Sequence, residues 1–128
     1  IEIAARGGGG SISNKVIPYL TGFEPAKTLI RNLMAMPGNI EIADYRRKFA
    51  LLKFFNFKPG RVKQIHINKK AIQDLIEFQL EVRVGDTIKP ARDSRDRCGF
   101  FVICGENRQA LLEKEKWVLE SVIVEYEK

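Results

Sequence analysis

Sulfur, histidine and long apolar runs are all scarce in this chain of 128 residues. Cys98 and Cys104 are its two cysteines, with five residues between them on an apolar segment. That pattern reads as two reduced, buried thiols rather than a disulfide or half of a metal site, and it points to the cytoplasm. The single histidine, His66, falls in a strand-like segment and reads as structural rather than catalytic. No apolar stretch approaches the ~20 residues that a bilayer-crossing helix needs, and the N-terminus does not resemble a signal peptide. The first residue is Ile rather than Met, so the chain is expected to be a piece of a longer polypeptide.

What is present is the material of a water-facing globular protein. Hydrophobic residues make up 45% and charged residues 30%, which suits one modest domain with a real core. The formal charge of +6 raises the question of nucleic acid. The basic residues are scattered, however: Arg46, Arg47, Lys48, Arg61, Lys63, Lys69 and Lys70 are interleaved with acids, and no nucleic-acid motif accompanies them. Phe54, Phe55 and Phe57 have the look of stacking platforms, but Phe100 and Phe101 stand in an equally apolar segment, so core packing is expected. Neither nucleic acid nor membrane is an expected partner.

Along the chain, residues 1–5 alternate as a short strand, with Ile1 and Ile3 opposite Glu2. After the glycines, Ser13 or Asn14 caps a short helix through Lys15–Leu20, limited by Pro18. Glu24-Pro25 opens a second helix, whose Ala26, Leu29, Ile30, Leu33 and Met34 share one face until Pro37-Gly38-Asn39 stops it. KFALLKFFNF and RVKQIHI read as strands on either side of a type II turn at Lys58-Pro59-Gly60, placed so that they can pair. Asn68 caps one or two helical turns, LEVRV forms a strand ended by Gly85-Asp86, and RCGFFVICG forms a glycine-bounded strand. Glu106 or Asn107 then starts an amphipathic helix through about Glu125, with Leu111, Val118, Val122 and Tyr126 on one stripe and Trp117 beside it. The fold class is α+β.

IEIAARGGGGS, the opening stretch, contains the sequence of an engineered linker, yet it runs without a break into a helical segment. Glu2 and Arg6 lie four residues apart on a strand end, and strand periodicity sends both side chains the same way. A carboxylate suits a hard cation, a guanidinium suits phosphoryl oxygens, and glycines let backbone N–H groups approach an anion. A salt-bridged strand end followed by a flexible loop accounts for the same residues.

IEIAARGGGG…VIPYLTGFEPAKTLI resembles the end of the catalytic domain of ATP-grasp ligases, where an acidic strand of the form E-x-N/A/S-x-R precedes a glycine loop and a helix. FKPGRVKQI…LEVRVGDTIKP…RCGFFVICGENRQALLEK is similar to the small C-terminal subdomain of that superfamily, in its L-amino-acid ligase, biotin carboxylase and carbamoyl-phosphate synthase large-chain branch. The resemblance implies two parts: residues 1–44 as the end of the catalytic domain and 45–128 as a C-terminal α+β subdomain with a long closing helix.

It also implies a metal ligand in Glu2, a catalytic and phosphoryl-holding arginine in Arg6, and phosphate or substrate contacts from Gly8, Gly9 and Ser11. Many members carry Asn two residues after the glutamate as a second metal ligand; here that position is Ala4, which cannot ligate. The implied partners are ATP, Mg2+ and a small-molecule carboxylate, joined to an amine or thiol through an acylphosphate. In this superfamily the nucleotide-binding strands and phosphate-gripping lysines precede the Glu2 motif. The chain is therefore expected to be inactive alone, with residues 1–12, which lose their sheet neighbours, either disordered or paired with another copy as a homodimer through the exposed strand edge. Arg92, Asp93, Arg95, Asp96 and Arg97 form a charged loop, solvated by default, which in relatives lies near the active-site rim. The alternative from another class is a non-catalytic α+β interaction module whose sheet edge binds a partner.

Overall fold

The computed structural model describes residues 9, 11–36, 38 and 48–127, and the chain divides into two compact units, Ile1–Lys48 and Phe49–Lys128. The strand expected at 1–5 lies outside the described residues.

In the first unit a π-helical turn, Ile12–Val16, runs directly into α1, Ile17–Thr21. Neither Ser13 nor Asn14 caps it. The residue before the turn is Ser11, held in the left-handed region at φ 59°, and its carbonyl accepts from both Lys15 and Val16 N–H groups. Gly22, also left-handed, ends α1. Helix α2, Pro25–Leu33, begins with proline in its first turn as expected, where a missing N–H costs nothing. Its apolar face is exposed: Leu33 retains 78% and Met34 64% of its surface.

The second unit holds two three-stranded antiparallel sheets. Strand β1, Phe49–Phe54, pairs with β5, Gly99–Gly105, which also pairs with β3, Glu77–Leu80. Strand β2, Gly60–Ile67, pairs with β4, Thr87–Ile88, and with β6, Val122–Tyr126. Thus β1 and β2, read from the sequence as potential partners, belong to different sheets. The segment between them is no tight hairpin: Phe55 turns inward there, its N–H bonded to the Gly99 carbonyl at 3.0 Å. β5 sits at the centre of its sheet, which explains its unbroken apolar character, since both faces are covered. A register shift between Val62 and Gln64 reconciles Val62 and Ile65, three positions apart, with one side of β2.

Helix α3, Lys69–Ile72, is capped by Asn68 Oδ1, which accepts from the Lys70 N–H at 3.1 Å. Helix α4, Arg108–Glu120, is capped by Asn107 Oδ1, which accepts from the Ala110 N–H at 2.9 Å. α4 ends five residues before the expected limit of about 125, and the rest of the supposed stripe is β6. Val122, Ile123 and Val124 are all β-branched and stiff, which favours a strand once a partner edge is available. The edge is β2: the Asn68 N–H takes the Ser121 carbonyl at 3.0 Å and the Glu127 N–H takes the Arg61 carbonyl at 2.9 Å, bracketing the pairing at both ends. Similarly, the strand read over 80–84 lies earlier, at Glu77–Leu80.

α4 lays Leu111 and Val118 onto Phe55, Phe101, Ile103 and Val122 to form the main core. Val62, Val82 and Ile88 form a second cluster, and Phe57 and Leu80 border both. Lys53 and Glu115, 2.7 Å apart, tie β1 to α4. Among the described residues no helix is long and apolar enough to cross a membrane.

Candidate functional site

Of the residues expected at a phosphate site, Glu2, Arg6 and Gly8 lie outside the described residues, as does Ala4. Gly9 and Ser11 are described, and they adjoin the start of the helical run. Gly9 is exposed, and its carbonyl accepts from the Ile12 N–H at 3.4 Å. Its φ lies outside the left-handed range, and a Cβ there would meet nothing within 4 Å. Nothing within the described chain therefore requires glycine at this position. Ser11, by contrast, takes a left-handed conformation that few residues other than Gly, Asn and Asp adopt readily.

Magnesium coordination needs several oxygen ligands at once. Among the described residues no three His, Cys, Asp or Glu side chains gather in one place, so these residues do not by themselves fit the ion.

The charged loop at 92–97 is solvent-exposed, as expected by default, and is hydrogen-bonded within itself. Ser94–Asp96 form one 3-10 turn capped by Asp93, whose Oδ1 accepts from the Arg95 N–H at 2.8 Å. The same carboxylate takes the Arg95 guanidinium through both oxygens, at 3.1 and 2.8 Å. Those bonds from the Arg95 side chain, and secondarily its backbone N–H, hold the Asp93 carboxyl below its ordinary pKa. The Arg97 guanidinium lies over the Phe54 ring, 3.8 Å from its centroid. The sequence shows the charges but gives no signal for this stacking, because Phe54 comes from β1, far away along the chain.

This loop forms one wall of a cleft of about 330 Å³ in the second unit, with the segments around Glu81-Val82 and Asp86–Lys89 as the other walls. Cys98 lines it, and burial pushes its thiol pKa up, helped by the nearby Glu81 charge. Cys98 and Cys104 are both free and half-buried. His66 pairs with Glu125 across β2 and β6 at 3.2 Å, in an exposed position.

Two small antiparallel sheets with a covering helix follow a helical unit, so the architecture is α+β as expected. The chain superposes on a crystal structure of phosphoribosylglycinamide synthetase from Anaerococcus prevotii with a TM-score of 0.73 at 16% sequence identity. The match covers 91% of this chain and 31% of that one, so the chain spans under a third of its neighbour's length. Residues 53–127 match the family described as L-amino acid ligase C-terminal domain 2, and the chain belongs to that family. Comparison with the curated proteins gives no match.

Proposed function

We propose that this chain supplies the C-terminal part of an ATP-dependent ligase that joins a carboxylate to an amine or thiol, and that it is inactive without the part that precedes it. The observation that carries the reading is the family match over 53–127. In the proposed reaction a substrate carboxylate oxygen attacks the γ-phosphorus of ATP, the bond to the β-phosphate bridging oxygen breaks, and ADP leaves. The amine or thiol then attacks the acyl carbon, loses its proton and expels phosphate. Such transfers depend on positioning and charge neutralisation more than on covalent help from the protein.

Arg6 is assigned to the transferred phosphoryl group, and Gly8, Gly9 and Ser11 to backbone and hydroxyl contacts with it. Glu2 is assigned as one metal ligand, and Mg2+, if bound, takes its remaining ligands from outside the described residues. The exposed glycine at position 9, which nothing in the described chain demands, fits close approach by a molecule from outside.

The test measures ADP release with a panel of amino-acid substrates. The 128-residue chain is expected to release none above background. In an enzyme extended to full ATP-grasp length, Arg6→Gln should lower kcat about a thousandfold. ADP release by the chain alone overturns its inactivity, and an unchanged kcat for Arg6→Gln overturns the site.

A further inference from the structure

Among the described residues β1 and β3 stand at the edges of one sheet, and β4 and β6 at the edges of the other. An open edge presents unpaired N–H and C=O groups to any other strand, and proteins guard it by shortness, lysine, proline or charge. β4 is two residues long with Pro90 close behind it, β3 is four residues long, and β1 carries Lys53. β6 is guarded least. It begins Val122-Ile123-Val124, a β-branched run without charge, proline or glycine.

The ladder to β2 fixes which groups of β6 are free. The Asn68 N–H bonds to the Ser121 carbonyl, and the hydrogen-bonded positions alternate from there through His66–Ile123 and Gln64–Glu125. Val122, Val124 and Tyr126 therefore turn their backbone groups to the open edge. On the outer face Ile123 keeps 54% of its surface, while Val122, on the other face, is buried. The carboxylates placed to guard this edge are drawn back over β2: Glu125 onto His66 at 3.2 Å and Glu127 onto Arg61 at 3.4 Å.

We infer that β6 pairs antiparallel with β6 of a second copy of this chain, in a register centred on Ile123. The side chains single out both the partner and the register. Twofold pairing about Ile123 sets it against its own copy, Val122 against Val124, and Ser121 against Glu125, so no like charges meet. The outward groups of Val122 and Val124 then exchange about four backbone hydrogen bonds. Centring on Val124 instead covers Glu125 with Ile123, and centring on Glu125 opposes two carboxylates, which is destabilising. The product is one continuous sheet in which β4-β2-β6 of each copy meets the other through β6. This edge lies in the second unit, differs from the one expected at residues 1–12, and does not depend on the ligase reading. So few bonds make a small interface, with a Kd of about 100 µM.

The experiment is sedimentation equilibrium of the 128-residue chain from about 10 µM to about 1 mM. The mass should rise from 14.6 kDa towards twice that value. Over the same range backbone-amide NMR shifts should change at residues 121–126 and not elsewhere. Ile123→Lys and Ile123→Glu should each weaken association about tenfold by opposing like charges, and an equimolar mixture of the two should restore it. Ile123 is exposed, so neither replacement disturbs the core. Leu33→Glu, on the exposed face of α2, should leave association unchanged. A constant monomer mass, or shifts centred outside β6, overturns the pairing. Association that survives both Ile123 variants, or a mixture that fails to associate, overturns the register. Loss of association in Leu33→Glu overturns the β6 edge in favour of α2.

Discussion

Glycine at position 99 is fixed by its neighbours in a way that glycine at position 9 is not. The backbone at Gly99 stands at φ 131°, and a Cβ there would overlap the Gln79 carbonyl oxygen and stand 2.9 Å from Leu80 Cα. β3 and β5 approach this closely only because position 99 has no side chain. Gly99→Ala should therefore cost about 2–4 kcal/mol, combining backbone strain with a forced shift of β3. Urea denaturation measures it, and a loss below about 0.5 kcal/mol would mean that the β3 edge gives way freely. In the sequence both positions are simply glycines in apolar or glycine-rich surroundings. Which of them is needed by the fold depends on the strand brought alongside, and that is information of the third dimension.

At the scale of the element, α4 is the test case. Its cap is local chemistry: Asn107 accepts from the N–H three residues on. Asn107→Ala should lower unfolding free energy by about 1 kcal/mol, with circular dichroism following the denaturation; an unchanged midpoint would mean the cap contributes nothing. The start was legible in the sequence to within one residue, as Glu106 or Asn107, because an Asx N-cap acts within one turn. The other end was not. Val118, Val122 and Tyr126 continue a helical spacing, yet from Val122 the chain is a strand, because alternation fits those residues too and the open edge of β2 decides between them. The same limit applies to β1 and β2. Each was recognisable as a strand, β1 by its apolar run and β2 by its alternation, and their partners were not, since pairing is chosen by sheet-wide burial rather than by the intervening turn. At the candidate site the sequence offered the charges at 92–97, while the Arg97–Phe54 stacking that orients one of them arises between distant segments.

At the scale of the whole molecule, the buried hydrophobic side chains among the described residues all belong to the second unit, from Phe55 to Val122. In the first unit no described residue is buried, and α2 leaves Leu29 and Ile30 more than half exposed. Burial of apolar surface is the dominant stabilising term, so the cooperative unfolding of this chain should be that of residues 49–128. A shortened chain of those residues is expected to show the same urea midpoint as the whole, within about 0.5 kcal/mol of stability. A markedly lower midpoint would mean that the first unit contributes to the core.

The sheets of this unit also join segments that are remote along the chain. Phe49 stands opposite Gly105 in one sheet, and in the other His66 reaches Glu125, 59 residues on. Among the described residues no strand pairs with its immediate successor in sequence. Each pairing therefore demands closure of a long loop before any ladder forms, and chains of such high contact order fold in milliseconds to seconds rather than microseconds. During that interval the apolar β5 segment has both edges open, so the slowest stage of folding is also the one most exposed to aggregation, and the rate of refolding rather than final stability will set how concentrated a solution can be refolded.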